Sequence, residues 1–193
     1  MCNQGDLLSA DSLYTKKHYT LNYPDFKEEI EFYITKEKDT LINSVKVYNK
    51  DSIYREFSFY YDLKITKSEK PNIYSGEIVL NSKNYNFKES KNKRRKIIFR
   101  YNNLCRDSLY AKEIFSKGKF PIKFKFENCY NDRLQGLIVE IIEKDTIDEK
   151  IRMQIDKLGV DNYNITDNLF FDSYEIDKRF SMEKYLKEKT KMK

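Results

Sequence analysis

The chain has 193 residues and a formal net charge of +6, from 37 basic and 31 acidic side chains. A hydrophobic content of 39% and an aromatic content of 15% exclude an intrinsically disordered chain, although 35% of the residues are charged. No apolar run approaches the roughly 18 residues that a membrane-spanning helix needs. The length suits one globular domain, with or without an appended tail.

The N-terminal segment, MCNQGDLLSADS, places Cys2 among polar residues. It lacks both the apolar neighbours of a buried cysteine and the basic neighbours of a reactive one. The segment resembles the N-terminus of a mature bacterial lipoprotein, in which a signal peptide is removed before a cysteine that is then acylated. The resemblance implies a lipid on Cys2, a flexible tether over residues 1–12, and Met1 as a start codon in place of the signal peptide. The alternative is a cytoplasmic protein with an isolated cysteine.

Strand patterns extend from about residue 18 to residue 172. EEIEFYIT is the first clear example, and in DSIYREFSFYYDLKIT the odd positions from Ile53 to Ile65 are apolar except for Arg55. FPIKFKFEN repeats this period of two, and EKIRMQID does so with Ile151, Met153 and Ile155 on one side. GEIVLNS, RRKIIFRY and QGLIVEIIE add apolar runs of strand length. We predict a core that contains Phe57, Phe59, Phe120, Ile122, Phe124, Val139 and Ile141.

The segments between these strands predict short turns. Because the chain has only five glycines and three prolines, its turns must use Asn, Asp, Ser and Lys, as in Lys50-Asp51-Ser52. About eight to ten half-buried strands joined in this way predict a mainly β domain over residues 13–178. The expected architecture is an antiparallel β-sandwich, with a partly open barrel as the alternative.

Two segments have helical spacing. In CRDSLYAKEIFSKG, apolar residues suggest a helix over residues 107–116, and a strand is nearly as well supported. At the C-terminus, SMEKYLKEKTKMK predicts a helix after Ser181, so residues 179–193 form a charged helix or tail.

Setting Cys2 aside leaves Cys105 and Cys129, which are 24 positions apart. In an oxidising compartment this pair is expected to form a disulfide. The alternative is two separate buried thiols, because free cysteine is among the most buried residue types.

Catalytic and metal-binding patterns are not found in the sequence. His18, the only histidine, lies in KKHYTLNY without a glycine-rich elbow, which favours an exposed strand-edge residue over a catalytic one. Zinc-ligand and phosphate-loop spacings are absent from the sequence. The oxygen-rich segment DNYNITDNLFFD lacks EF-hand spacing and favours a turn-rich loop over a calcium site. We therefore expect no enzyme, no metal and no cofactor.

The segment KNKRRK, residues 91–96, is the strongest concentration of positive charge and has aromatic residues on both sides. It predicts a solvated hairpin tip whose charges keep the flanking strands from pairing with other chains. The alternatives are a site that binds nucleic-acid phosphates and a contact with lipid head groups or an acidic partner. This candidate basic patch comprises Lys91, Lys93, Arg94, Arg95 and Lys96.

The expected function is therefore that of a non-enzymatic, lipid-anchored β-domain in a bacterial cell envelope, facing the periplasm or the cell surface. It would contact the membrane through its lipid and bind a protein or glycan partner, as an envelope-assembly part, a surface-binding module or an immunity protein. The alternative is a cytoplasmic nucleic-acid-binding protein that uses residues 91–96.

Overall fold

The structure is a computed structural model that describes residues 14–34, 40–105, 108–117, 120–146, 150–166, 168 and 170–171. In this part of the chain the strands form three antiparallel sheets that do not close into a barrel. This arrangement confirms the predicted mainly β fold and is consistent with a β-sandwich. The predicted tether and the C-terminal helix or tail lie outside the described residues.

Twelve strands are present in the described residues. They are β1 (Tyr14–Asn22), β2 (Phe26–Ile34), β3 (Thr40–Asn49), β4 (Ser52–Ile53), β5 (Tyr60–Lys67), β6 (Ile73–Asn81), β7 (Lys93–Cys105), β8 (Ser108–Ser116), β9 (Ile122–Glu127), β10 (Gln135–Asp145), β11 (Ile151–Asp161) and β12 (Ile165–Thr166). The first sheet has the order β12-β1-β2-β3-β4, the second β11-β10-β7-β8 and the third β5-β6-β9.

The second and third sheets supply the main hydrophobic core. Phe99 of β7 packs edge-on against Phe124 of β9, with ring centroids 4.9 Å apart. The Phe124 ring also lies directly over Gly76 of β6, where any side chain would collide with it. The remaining buried members of this core are Ile78, Leu80, Ile97, Tyr101, Ile122, Phe126, Leu134, Ile138, Leu158 and Val160.

The first sheet is joined to the rest of the domain by a few specific contacts. The backbones of Val45 and Phe59 exchange two hydrogen bonds, of 2.8 and 2.9 Å, which connect β3 to the start of β5. A second, smaller cluster contains Tyr14, Tyr33 and Phe171, whose rings pack edge to face.

The predicted core is correct for most of its members and wrong for Phe57 and Ile141. Ile122, Phe124 and Val139 are buried, and Phe59 and Phe120 pack partly buried against the core. Ile141 is only half-buried, because it lies on the opposite face of β10 from the core residue Ile138. Val139 shares the face of Ile141 and is buried there, outside the main core cluster.

Phe57 is 62% exposed because residues 51–66 do not form the single strand that their alternation predicts. A 3-10 turn over Arg55–Phe57 follows β4, and it is held by hydrogen bonds from the Phe57 amide to the Tyr54 carbonyl and from the Ser58 amide to the Arg55 carbonyl. The period of two resumes after the turn, where Phe59, Tyr61, Leu63 and Ile65 pack against the core.

The helix predicted over residues 107–116 is a strand instead. β8 pairs with β7 along its whole length, from Cys105 opposite Ser108 to Ile97 opposite Ser116. Ile114 packs against the core, whereas the next residue, Phe115, is 70% exposed. This alternation is typical of a strand, so pairing with β7 decides the structure where the sequence pattern was ambiguous.

Candidate binding surface

The basic run at residues 91–96 begins in the turn that leads into β7. Ser90 and Lys93 exchange two backbone hydrogen bonds around Lys91 and Asn92, which makes a tight turn. Arg94 then donates to Glu143 at 3.0 Å and to Asp145 at 3.1 Å, and Lys96 donates to Glu143 at 2.8 Å. Carboxylates of β10 therefore neutralise much of this charge.

Arg95 points the other way, into the domain, and is not part of a surface patch. Its guanidinium pairs with Glu140 at 2.6 and 2.7 Å, and their side chains are only 4% and 0% exposed. Ser82 and Asn84 each donate to the same carboxylate at 3.1 Å. Nothing in KNKRRK distinguishes Arg95 from Arg94 except strand alternation, which places neighbours on opposite faces.

The exposed ion pairs give the protein a predicted sensitivity to acid. Hydrogen bonds from Lys96 and then Arg94 lower the pKa of Glu143, and the hydrogen bond from Arg94 lowers the pKa of Asp145. Because both pKa values are lower in the folded state, these groups stabilise the fold above their ordinary values of 4.5 and 3.8. That contribution is lost as the pH falls through the lowered values.

Glu143→Gln should therefore reduce the difference in melting temperature between about pH 7 and about pH 3, compared with the wild type. Glu69→Gln, in the exposed loop between β5 and β6, is the matched control and should leave that difference unchanged. Equal differences for the wild type and Glu143→Gln would show that this ion pair does not stabilise the fold.

Cys105 and Cys129 come together where β7 ends and the chain leaves β9. They form a disulfide with Cα atoms 4.9 Å apart, and the Asn72 amide donates to the Cys129 sulfur at 3.4 Å. Glu127 lies beside them, and these three residues are the one potential metal-binding group in the described part of the chain. Bonded to each other, the two sulfurs offer no thiolate to a metal. Cys2 lies outside the described residues.

Replacing both Cys105 and Cys129 with serine should lower the free energy of unfolding by about 3.5 kcal/mol, because the unfolded chain regains the entropy of an open loop. Denaturant titration measures this value, and reduction of the wild type should reproduce it. Cys2→Ser is the control and should not change stability. An unchanged unfolding midpoint after the double replacement would contradict the structural role of the bridge.

The other polar candidates in the sequence are placed as follows. His18 is exposed on β1, with its Nε2 3.7 Å from a Glu31 oxygen. In the oxygen-rich segment, Asp161 is buried and pairs with Arg133 at 3.1 Å, and the Asn168 amide donates to the carbonyls of Gly136 and Val160. These oxygen-bearing side chains hold loops and strand ends together, whereas Asp167 and Asp172 lie outside the described residues.

An exposed aromatic cluster, which the sequence patterns did not predict, lies around the 3-10 turn. We call it the aromatic platform, and it consists of Tyr54, Arg55, Phe57 and Tyr85. The rings of Tyr54 and Phe57 meet at 4.8 Å, and the Arg55 guanidinium lies 4.5 Å above the Tyr85 ring. All three rings are exposed. The sequence did contain one indication of this turn, because Arg55 occupies a position where the strand pattern requires an apolar residue.

Comparison with family models, with curated proteins and with solved structures found no match to this chain. Among the residues that the structure describes, no helix has the length and apolarity needed to cross a membrane.

Proposed function

We propose that this chain is a non-enzymatic, lipid-anchored protein of a bacterial cell envelope that binds a partner protein through its aromatic platform. The observation that carries the proposal is the exposure of Tyr54, Phe57 and Tyr85 in one cluster with Arg55. Tyrosine, phenylalanine and arginine are enriched at protein interfaces, and tyrosine and arginine are over-represented among the residues that dominate binding energy.

The geometry of the platform favours binding over a purely structural role. Phe57 is 62% exposed and gains little from folding, so its contact area is available to a partner. The Arg55 guanidinium is already stacked on Tyr85, and the Tyr54 and Phe57 rings already touch. Side chains that hold each other in place lose less conformational entropy when a partner binds.

Two further observations support an envelope location. A disulfide between Cys105 and Cys129 is typical of oxidising compartments and rare in the bacterial cytosol. The anchoring part of the proposal depends on the sequence alone, in which Cys2 precedes a polar segment. Two or more acyl chains on such a cysteine give stable membrane attachment, whereas one chain gives marginal attachment.

Expression of the complete native gene tests the anchor. The wild type should be recovered in the membrane fraction, and Cys2→Ser should move it to the soluble fraction. A control variant, Cys105→Ser with Cys129→Ser, removes the other two cysteines and should stay with the membrane. If the wild type and Cys2→Ser fractionate identically, the chain is not anchored through Cys2.

Site-directed photocrosslinking tests the platform. A photoreactive residue placed at Phe57 or at Tyr85 should capture the same protein in intact cells, whereas one placed at the exposed Phe115 should not. No adduct at either platform position, or identical adducts at all three positions, would contradict the proposal. Adducts that glycosidase treatment removes would identify a glycan as the partner instead.

The basic run does not favour the nucleic-acid alternative. Of its two arginines, Arg95 is buried against Glu140, and Arg94 is held by Glu143 and Asp145. Phosphate contacts would require both arginines to leave carboxylate partners. We therefore expect no tight oligonucleotide binding that weakens steeply with salt, as genuine phosphate contacts would produce.

A further inference from the structure

The strand β11 ends the second sheet on one side, as far as the described residues extend. On this side the amide and the carbonyl of Gly159 both bond to the Asn43 side chain, at 2.6 and 2.9 Å. Every second residue of an antiparallel strand turns its backbone groups to the same side. The backbone groups of Ile151, Met153 and Ile155 therefore face the same open side, beyond the part of the edge that Asn43 covers.

These three residues carry apolar side chains that the structure leaves in solvent. Ile151, Met153 and Ile155 are each at least 50% exposed, although their alternation predicts a half-buried strand. Natural edge strands usually avoid such a row, because an exposed apolar edge pairs readily with another strand. The outer strand β5 follows that rule, since its exposed residues include Asp62, Lys64 and Lys67.

A groove runs beside one part of this edge. It has a volume of about 390 Å³ and lies between β3 and the part of β11 at Ile155, Asp156 and Lys157. Its first-sheet wall includes Ile42 and Val45, and Phe59 completes the apolar lining. The first sheet is therefore not packed tightly against the edge at this point.

We propose that two copies of this chain pair antiparallel through residues 150–156, with the twofold axis at Met153. The two Met153 side chains then meet, and Ile151 lies opposite Ile155 of the second copy on the same face. On the other face Lys150 lies opposite Asp156, so opposite charges meet. Because the backbone groups of Ile151, Met153 and Ile155 face the open side, the Met153 pair and each pair of Ile151 with Ile155 exchange two backbone hydrogen bonds.

The sequence of the edge favours a second copy in this register over another partner. In this register Ile151, Met153 and Ile155 all meet apolar residues of the second copy. Lys150, at one end of the segment, meets the oppositely charged Asp156 at the other end. A shift of the axis by one residue, to Gln154, places Ile151 opposite Lys157 and loses this match. An edge that complements itself about a twofold axis is what a symmetric dimer requires. Pairing would join the second sheets of the two copies into one continuous sheet.

Sedimentation equilibrium of the full chain over a wide concentration range tests this proposal. The wild type should be a dimer, and Met153→Lys should raise the dimer dissociation constant at least about tenfold, because two ammonium groups would meet at the axis. Phe115→Lys adds the same charge to the exposed face of the opposite edge strand, β8, and should leave the dimer intact.

A charge exchange makes the test independent of any folding defect in Met153→Lys. Lys150→Glu should weaken the dimer, because it brings two acidic groups together, and adding Asp156→Lys should restore it. A wild type that is monomeric at its highest soluble concentration overturns the proposal. The proposal also fails if this edge pairs only with a strand of a different protein and never with a second copy. Dissociation by Phe115→Lys, or failure of the charge exchange to restore the dimer, overturns it as well.

Discussion

Replacing Arg95 with methionine should lower the free energy of unfolding by about 3–5 kcal/mol, the largest effect that we expect from any single charged residue. The cause is the carboxylate of Glu140, whose side chain is fully buried and would lose its only nearby cation in the described structure. Ser82 and Asn84 would still donate to it, but neutral donors do not compensate a buried charge. Denaturant titration followed by circular dichroism measures the loss.

Two further variants separate the buried pair from charge in general. The double variant with Arg95→Met and Glu140→Leu should recover most of the lost stability, because it removes both charges and leaves apolar side chains. Lys96→Met, at the next position of the same strand, removes an exposed pair with Glu143 and should cost far less. If Arg95→Met costs no more than Lys96→Met, Arg95 is not buried in this pair.

Replacing Phe99 with alanine should cost about 3–5 kcal/mol of unfolding free energy, because it removes a fully buried ring and leaves a cavity. The ring contacts those of Tyr101 and Phe124, with centroids 5.2 and 4.9 Å away, so the cavity would lie in the middle of the aromatic core. If this variant does not fold, Phe99→Leu keeps most of the volume and should cost about 1–2 kcal/mol.

Phe57→Ala is the matched control for Phe99→Ala. Both remove a phenylalanine ring that the alternation of apolar residues places in a strand, but Phe57 lies in the exposed platform. Its removal should change the free energy of unfolding by no more than about 0.5 kcal/mol. Similar losses for the two variants would mean that the 3-10 turn over residues 55–57 does not expose Phe57.

Much of the fold was predictable because successive side chains of a strand point to opposite faces, so a half-buried strand has apolar residues at every second position. Phe124 and Ile122 were assigned to the core from FPIKFKFEN alone, and both are buried. Local alternation does not reveal where pairing stops, so the turn that exposes Phe57 was missed. It also does not reveal whether a strand has a neighbour on each side. That is why the apolar row with Met153 was predicted on a half-buried strand and is exposed on an edge.

The candidate site was less predictable, because its main features depend on residues that are far apart in the chain. Alternation places Arg95 on the buried face of β7, but the carboxylate that pairs with it there belongs to Glu140 of the neighbouring strand β10, 45 positions away. The platform requires Tyr85 to approach Arg55 across 30 positions. The cysteine pair was expected from the sequence only if Cys2 is set aside as a lipid-bearing residue, and two separate buried thiols were the alternative. The structure has Cys105 and Cys129 bonded.

The most direct test of the proposed function is the affinity of the crosslinked partner for variants of the aromatic platform. Phe57→Ala and Arg55→Ala should each raise the dissociation constant at least about tenfold, the effect of losing a residue that dominates an interface. Phe115→Ala, which removes an equally exposed ring elsewhere, should leave the affinity unchanged. Equal affinities for the wild type and both platform variants would show that the partner binds elsewhere and would contradict the proposed function.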